Sequence, residues 1–303
     1  MNSYCKYILL VVFLTAGRAC LANSPAARSA NKACRPDSMV VTENQRLVDE
    51  GLRFWERKDY TKAEQCFRKA ADKGYSWGQY NLALCYFHGK GASKDLSKAA
   101  VLFQLAARQG NTEAQCCLAT MYHFGMGIHT NFEQALSWYT LAAKAGNVQA
   151  HTYIGSMYQF GQGVQKDYQT AHDWYQKAAQ KGCANAMYYL GSLYEGGYGV
   201  AKNTKEALTW YRASADQNNA EACYRAFRIY YYELSDAANG YNYLTRAAAQ
   251  NHVGALYELG ETHYLGLLGR PVDRKKARLH YTKAADAGNA MAQMALKVRT
   301  FDE

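Results

Sequence analysis

Cysteine and histidine are the residues of this chain best suited to carry chemistry, with nine and eight copies respectively. A thiolate can act as a nucleophile, and thiolates and imidazoles can together ligate zinc. Zinc motifs place their ligands at short, regular separations, and the sequence contains neither C-x-x-C nor H-E-x-x-H. Cys116, Cys117, His123 and His129 lie close together in the chain, but their spacing matches no metal motif. We therefore predict no metal site and no cofactor.

A nucleophilic serine is the second chemistry that the sequence could support. G-x-S-x-G and the phosphate-binding pattern G-x-x-x-x-G-K-[ST] are both missing from the chain. The S-x-x-K pattern, which can pair a serine with a lysine base, occurs only at Ser3/Lys6 and Ser29/Lys32. A catalytic pair needs rigid placement beside an oxyanion hole, but the first match falls in a predicted signal peptide and the second in a flexible leader. The chain is therefore predicted not to be an enzyme.

Disulfide bonds are the third possibility for the cysteines. Removal of an N-terminal segment that holds Cys5 and Cys20 leaves an odd number, which permits at most three internal bridges. The remaining cysteines are Cys34, Cys66, Cys85, Cys116, Cys117, Cys183 and Cys223. Cys66 and Cys85 flank one predicted helix hairpin at similar distances from its turn, so a disulfide between them is one interpretation. The other is that they are small buried apolar residues, because sequence alone does not show whether two Cα atoms are close.

The first 22 residues have the layout of a secretory signal peptide. A positive start at Lys6 precedes the ten-residue apolar core Tyr7–Ala16, which is too short to span a bilayer, and small residues follow. Cleavage fits best after Ala22, with Ala19 as an alternative, and lipid attachment at Cys20 is a further one. We therefore expect an exported protein, periplasmic or secreted, or lumenal in a eukaryotic secretory pathway.

The rest of the chain divides into a leader over residues 23–42 and a repeat domain over residues 43–300. No later apolar run reaches membrane length, so we expect no stable membrane insertion of the mature chain. The net charge is +10, but no run of five like charges occurs, which favours solvated helix faces over a nucleic-acid-binding stripe. The only prolines are Pro25, Pro36 and Pro271. The long proline-free stretch between them favours helices, because proline breaks a helix interior.

A period of 36 residues runs through the repeat domain. An Ala-Ala step recurs at Ala70-Ala71, Ala106-Ala107, Ala142-Ala143 and Ala178-Ala179, and aromatic residues keep the same period at Phe67, Phe103, Tyr139, Tyr175 and Tyr211. Within one period, Ala150, Ile154 and Tyr158 lie at i, i+4 and i+8, which is typical of one face of a helix. Such a period predicts stacked helical repeats, because one helix pair cannot bury its apolar stripe alone.

The ends of the predicted helices carry the expected capping residues. Short polar residues stand before the second helix of most units, at Asp95, Asn131, Asp167, Asn203 and Asp273. Glycines follow the Ala-Ala step at Gly74, Gly110, Gly146, Gly182 and Gly288, where a left-handed C-terminal cap suits them. We count seven helix pairs from Glu43 onward and a capping helix from about Ala290 to Thr300. The sixth pair lacks three residues where the others have a glycine loop.

These units resemble the Sel-one-like repeat family, which is related to tetratricopeptide repeats. The family pattern A-x-x-L-G-x-x-Y-x-x-G-x-G-V-x-x-D followed by A-x-x-W-Y-x-x-A-A-x-x-G is matched by "AHTYIGSMYQFGQGVQKD" from Ala150 and "AHDWYQKAAQKG" from Ala171. The resemblance spans residues 43 to 300 and implies an all-α, right-handed superhelical solenoid of the exported bacterial type that acts as an adaptor. The cysteine-rich branch of the family pairs its cysteines within each repeat, but the cysteines here occupy other positions.

The tetratricopeptide geometry implies that the first helix of each pair lines a concave surface. In that frame, the residues expected to point outward and contact a protein or peptide partner are Trp77, Tyr80, Leu84, Phe87, Thr120, Phe124, Thr152, Ser156, Tyr188, Ser192, Tyr224, Arg228, Tyr257 and Glu261. Many are tyrosine, which supplies contact area at low entropic cost. Ordinary packing between repeats is the alternative interpretation of the same residues.

Two other functions stay open alongside this non-enzymatic interaction scaffold. Cysteine-rich relatives have been suggested to bind or cleave β-lactams, so a cell-envelope protein that binds or hydrolyses glycans or β-lactams is one alternative. A structural assembly subunit, in which the convex face matters, is the other. The sequence leaves the oligomeric state undetermined.

Overall fold

A computed structural model describes residues 42–301, and within that range the chain forms fifteen α-helices and no strand. The helices are α1 (Glu43–Glu56), α2 (Tyr60–Asp72), α3 (Ser76–His88), α4 (Leu96–Arg108), α5 (Thr112–Phe124), α6 (Phe132–Lys144), α7 (Val148–Phe160), α8 (Tyr168–Gln180), α9 (Ala184–Gly196), α10 (Thr204–Ala215), α11 (Ala220–Arg228), α12 (Ala237–Ala249), α13 (Val253–Leu265), α14 (Arg274–Asp286) and α15 (Ala290–Val298). The expected fold class, an all-α helical-repeat solenoid of seven pairs and a final helix, is confirmed. The proposed signal peptide and nearly all of the leader lie outside the described residues.

The helices fall into two compact units. The N-terminal unit ends at Asn131 and contains α1 to α5, whereas the C-terminal unit begins at Phe132 and contains α6 to α15. Within each unit, consecutive helices pack against one another, so each pair buries its apolar stripe against its neighbours. The largest core cluster lies in the C-terminal unit and runs from α8 to α15.

A glycine on the first helix and a tyrosine on the second form the central contact of several pairs. A Cβ atom added at Gly191 would lie 2.7 Å from ring carbons of Tyr211, and one at Gly155 would lie 2.7 Å from a ring carbon of Tyr175. Both tyrosines are fully buried. The missing side chain therefore lets the ring lie directly on the backbone of the first helix, as the small residues in the repeat predicted.

The hydroxyl groups of these buried tyrosines have hydrogen-bond acceptors on the first helix. Tyr175 Oη donates to Gln159 Oε1 at 2.6 Å, and Tyr211 Oη donates to Glu195 Oε2 at the same distance. A buried hydroxyl without a hydrogen-bond partner would destabilise the fold, and these bonds offset the free-energy cost of burying the tyrosine hydroxyls.

The glycine loops between the two helices of a pair join neighbouring repeats. Gly161 ends α7 in the left-handed region (φ 67°), and Gly163 has φ 70°. A Cβ atom at Gly163 would lie 2.5 Å from the Cβ atom of Phe132, at the start of the preceding second helix. The G-x-G pattern is thus loop and packing geometry, as the sequence indicated.

The predicted helix caps are confirmed at Asp95, Asp167, Asn203 and Asp273, which accept backbone N–H bonds at the starts of their helices. The first helices have caps that the sequence analysis did not identify, such as Asn147, whose Oδ1 accepts from the Ala150 amide.

In the sixth pair, which is three residues shorter, an irregular turn replaces the glycine loop. α11 ends at Arg228 after nine residues and continues as a π-helical turn over Ile229–Glu233. Ser235 then takes a left-handed conformation (φ 55°) before α12 begins. The deviation is local, since Tyr230 still stacks on Tyr243 of the following helix at 5.5 Å between ring centroids.

The proposed Cys66–Cys85 disulfide is not formed, because both thiols are free and buried. Cys66 lies on the side of α2 near Glu50 of α1, whereas Cys85 packs in the core beside Glu64 and Arg68. Positions 64 and 66 are about 200° apart around a helix, so the two thiols lie on different sides of α2. Burial raises the pKa of both, that of Cys85 to about 12.

Gly191→Ala and Gly240→Ala should change the free energy of unfolding in opposite directions. At Gly191 the new methyl group would overlap the Tyr211 ring, so we expect a loss of about 1–3 kcal/mol. At Gly240 in α12 the nearest atom, Tyr231 Cβ, is 3.4 Å away, so the higher helix propensity of alanine should add about 0.5–1 kcal/mol. Urea unfolding of both variants tests this, and equal effects would contradict the assigned contact.

His280 of α14 should make the last repeats less stable in mild acid. Its ring stacks on that of His263 at 5.5 Å, and burial, with the His263 ring and nearby lysines adding to it, lowers the pKa of His280 to about 4. As the pH falls from about 6.5 towards 4, His280 becomes protonated in the unfolded chain but stays neutral in the folded chain, so the free energy of unfolding falls. His280→Phe should reduce this loss by up to about 2 kcal/mol. Urea unfolding at the two ends of this window measures it, and an unchanged pH dependence would contradict it.

Candidate functional site

Five of the fourteen predicted contact residues are buried rather than outward-facing: Tyr80, Thr120, Thr152, Ser156 and Tyr188. The expectation that these side chains point outward is wrong. A ligand cannot reach them without displacing the helices that cover them, so they leave the candidate site.

The reason is that neighbouring repeats cover the first helices on more sides than the tetratricopeptide frame implied. Thr152 Oγ1 lies 3.4 Å from Sγ of Cys183, at the start of the next first helix. Tyr188 packs within its own pair against the rings of Tyr189 and Tyr211, with centroids 5.3 and 5.8 Å away, and is close enough to Glu221 and Arg225 of the next first helix for their charges to affect its pKa. These positions therefore hold the stack together instead of receiving a partner.

The other nine predicted residues retain some exposure. Eight are partly exposed, and Arg228 is the one fully exposed member: the partly exposed residues are Trp77, Leu84, Phe87, Phe124, Ser192, Tyr224, Tyr257 and Glu261. Several of them pack locally, since the Trp77 ring meets Tyr80 edge-on and Ser192 Oγ donates to the Tyr189 carbonyl at 2.8 Å. Arg228, on α11 in the C-terminal unit, is the most exposed of the nine.

We define the α11–α13 strip as Tyr224, Arg228, Tyr232, Tyr257 and Glu258. Tyr232 lies in the turn after α11 and is highly exposed, as is Arg228. Arg228 is close enough to Tyr224, Tyr232 and Glu258 to influence the pKa of each. The strip thus combines aromatic area with both signs of charge.

The electrostatics of the strip centre on Glu258 and Arg228. Burial raises the pKa of Glu258, the neighbouring Glu261 raises it further, and Arg228 opposes both effects. Burial also raises the pKa of Tyr224 and of Tyr257 to about 12, so both hydroxyls stay protonated at neutral pH. The Tyr257 hydroxyl is hydrogen-bonded to Glu261, so Tyr224 is the one that can donate to a ligand. Arg228 has no carboxylate within ion-pair distance among the described residues, so its guanidinium is available to a ligand.

Beneath the strip lies an ion-pair network that sequence analysis missed. Arg225 Nε lies 3.3 Å from Glu221 Oε1, and Arg225 Nη1 lies 3.6 Å from Glu195 Oε2 on the preceding first helix. The Glu195 carboxylate also accepts the Tyr211 hydroxyl described above. The opposite charges of Glu221 and Arg225 at i and i+4 were a sequence signal for half of this network.

His252 continues the network into the seventh pair. Its Nδ1 accepts from the Ala255 backbone N–H at 3.1 Å and so caps α13, which leaves Nε2 to donate to Glu221 Oε2 at 3.0 Å. The imidazole stacks on Tyr224 at 4.5 Å between centroids. Tyr224 is therefore held in place within the strip by a residue that is itself fixed at both nitrogens.

Glu261, a predicted contact residue, is already engaged inside the chain. Arg299, just after α15, reaches its carboxylate with Nη1 at 2.8 Å and Nη2 at 3.2 Å, and Tyr281 Oη donates to it at 2.9 Å. The Arg299 guanidinium also lies 4.6 Å from the centroid of the Tyr264 ring. Glu261 therefore fastens the last helix to the seventh pair.

Two further classes of site are absent from residues 42–301. No cluster of three or more histidine, cysteine, aspartate or glutamate side chains is arranged to hold a metal ion there. Over the same residues, none of the helices combines the length and apolar character that crossing a membrane requires. The two S-x-x-K matches lie outside the described part of the chain.

Comparison with solved structures identifies several similar folds. A Sel1 repeat protein from Oxalobacter formigenes is 28% identical, with a TM-score of 0.74 over 79% of this chain and 99% of that one. The protective antigen c5321 of uropathogenic Escherichia coli, which displays an SLR fold, is also 28% identical, with a TM-score of 0.64 over 85% of this chain. This chain spans only 58% of the c5321 chain.

Sequence relatives share much shorter segments. DAP3-binding cell death enhancer 1 of Rattus norvegicus is 56% identical over 36 residues, which is 12% of this chain and 7% of that protein. The match equals one repeat in length, so it concerns the repeat unit and not the whole protein.

The Sel1 repeat model matches seven consecutive segments: residues 49–75, 78–111, 112–147, 148–183, 184–219, 220–252 and 253–289. These segments follow the helix pairs of the structure, including the shortened sixth pair. The chain therefore belongs to the Sel1 repeat family, whose members are generally helical-repeat scaffolds for protein–protein interaction.

Proposed function

We propose that this protein is an exported, non-enzymatic interaction scaffold that binds a protein or peptide through the α11–α13 strip. The observation that carries the proposal is Arg228, an exposed guanidinium without an ion-pair partner among the described residues, flanked by Tyr224 and Tyr232. Arginine and tyrosine are the residue types that most often dominate binding energy at interfaces. Export rests on the layout of residues 1–22.

The chemistry of the strip defines the partner that it would accept. Arg228 can bind a carboxylate in bidentate fashion, and the protonated hydroxyl of Tyr224 can donate to a backbone carbonyl. The tyrosine rings offer apolar area beside these polar groups. A partner segment with an acidic side chain next to an aromatic or aliphatic one would satisfy all three.

A rigid support beneath the α11–α13 strip favours binding there. The network of Glu195, Glu221, Arg225 and His252 fixes α11 against the preceding and following first helices. Ordering costs fall when a surface is preorganised, so more of the contact energy remains as affinity. The name of the rat relative states that it binds a protein, DAP3, which agrees with the general role of the repeat.

Photo-crosslinking tests the proposal directly. A benzophenone amino acid placed at Tyr232 should capture the partner in the native compartment, and mass spectrometry would identify it. Arg228→Ala combined with Tyr224→Ala should then weaken binding of the purified partner about 10- to 30-fold, which corresponds to a loss of roughly 2 kcal/mol of binding free energy for interface anchor residues.

Arg108→Ala supplies the matched control, because Arg108 is an exposed arginine of α4 in the other unit. It should leave the affinity unchanged. Binding that survives the Arg228 and Tyr224 changes, with helical content intact, would rule out the strip as the contact surface.

Arg225→Met should destabilise the C-terminal unit far more than Arg228→Met. Removal of Arg225 leaves Glu195 and Glu221 without their shared cation in a partly buried site, at a cost of about 2–3 kcal/mol. Arg228 forms no ion pair, so its loss should cost less than about 0.5 kcal/mol. Urea unfolding of the two variants provides the comparison, and similar midpoints would refute the supporting role of Arg225.

A further inference from the structure

Two aromatic rings of the first pair meet in a corner that holds a lysine ammonium group. Trp55 near the end of α1 and Tyr60 at the start of α2 pack edge-on, with centroids 4.9 Å apart and ring planes at 69°. Lys90 Nζ, from the loop after α3, lies 5.5 Å from the Trp55 ring centroid and 4.9 Å from that of Tyr60. Both distances fall within the range of about 6 Å for a cation–π contact. All three residues belong to the N-terminal unit.

The corner is held in place by groups other than the Lys90 side chain. The Trp55 ring packs against Phe67 in the core of the unit, with centroids 6.5 Å apart. A Cβ atom added at Gly91 would overlap the carbonyl oxygen of Tyr60, so the loop backbone lies directly on the start of α2. The Lys90 backbone N–H donates to a carbonyl of α3 at 3.0 Å. Both rings are partly exposed and Lys90 is exposed, so its side chain can leave while the rings and the loop stay.

The repeat register shows what this corner would be if it were an ordinary joint between repeats. Three repeats later, Tyr168 and Tyr198 occupy the positions of Tyr60 and Lys90. Those two tyrosine rings stack, with centroids 5.1 Å apart and planes at 18°. The same joint is therefore filled by an aromatic ring in the C-terminal unit but by a cation in the N-terminal unit, where Trp55 adds a second ring face.

The cation in the corner is held by the rings without a carboxylate. Within residues 42–301, no acidic side chain lies within ion-pair distance of Lys90, and the nearby acids have other partners: Asp59 pairs with Lys62 at 2.9 Å, and Glu64 pairs with Arg68. Ring faces alone satisfy a primary ammonium group poorly, because its three N–H groups lose water without gaining acceptors. A trimethylammonium group has the same charge and no N–H group, so it suits such a corner better.

A ligand that takes this place leaves the Lys90 ammonium group beside a second positive charge. The repulsion is relieved when the ligand carries an anion next to its quaternary ammonium group. We propose that the aromatic corner, defined as Trp55, Tyr60 and Lys90, binds phosphocholine: the rings hold the trimethylammonium group, and the displaced Lys90 pairs with the phosphate. This site goes beyond the proposed interaction scaffold, because the α11–α13 strip belongs to the C-terminal unit.

Isothermal titration calorimetry of the full chain with phosphocholine and with choline tests the roles of the rings and of Lys90. The wild-type protein should bind phosphocholine about two- to fivefold more tightly than choline, which is the range of an exposed ion pair. Lys90→Ala should tighten choline binding, because the rings are then vacant, and should remove the preference for phosphocholine. A preference for phosphocholine that persists in Lys90→Ala would contradict the assigned ion pair.

Variants of the rings and matched controls complete the test. Tyr60→Ala should weaken phosphocholine binding about fivefold through the loss of one ring face. Lys90→Tyr should abolish it, because it fills the corner with the ring that Tyr198 supplies in the C-terminal unit, and its unfolding midpoint in urea should match that of the wild type. Lys177→Ala removes a lysine that lies 4.7 Å from a single tryptophan ring and should leave binding unchanged. Arg228→Ala should also leave it unchanged, which separates this site from the α11–α13 strip.

Three results would overturn the proposal: no binding of either compound to the wild-type and Lys90→Ala proteins, equal affinity in the Lys90→Tyr protein, or co-sedimentation with phosphatidylcholine vesicles that free phosphocholine does not compete. The first would leave Lys90 as a contact of the fold alone. Vesicles also distinguish the two sources of the group. Co-sedimentation that free phosphocholine competes and Tyr60→Ala weakens would assign it to a lipid surface, whereas binding of free phosphocholine without co-sedimentation would assign it to a soluble ligand.

Discussion

The structure depends on one contact, the placement of a tyrosine ring from the second helix on a glycine of the first. Tyr175 against Gly155 and Tyr211 against Gly191 bring the two helices of a pair together at fully buried rings. A tyrosine buries about 150–250 Å² of surface, so each such contact supplies several kcal/mol of gross stabilisation. The hydroxyl group then has to find an acceptor inside the protein, and this requirement places a polar residue at a fixed point on the first helix.

That requirement links the core to the surface. In the fourth pair the acceptor is the neutral Gln159, but in the fifth it is Glu195, which brings a negative charge to the edge of the core. The charge is balanced by Arg225 of the next first helix, and Arg225 in turn pairs with Glu221. A packing solution repeated along the chain thus leads, in the fifth to seventh pairs, to an ordered set of charges beneath the α11–α13 strip. Stability and the candidate binding surface share the same residues at this point.

The sequence predicted the fold well because helix periodicity, capping residues and small residues repeat with the same 36-residue spacing. It predicted the site less well because exposure of a first helix is decided by its neighbours. Positions such as Thr152 and Ser156 look polar and therefore solvent-facing, yet adjacent repeats cover them. Arg225 and His252 were missed because their partners lie on other helices, at separations that no local pattern reveals. Arg228 was identified because it occupies a first-helix position that the tetratricopeptide frame predicts to point outward.

The α11–α13 strip follows the repeat register and differs from the other pairs in its side chains and their exposure. Tyr224 and Tyr257 align with Tyr188 of the fifth pair. Tyr188 is buried, whereas Tyr224 and Tyr257 are partly exposed. The same register position therefore contributes to the core in one pair and to the candidate binding surface in the next two.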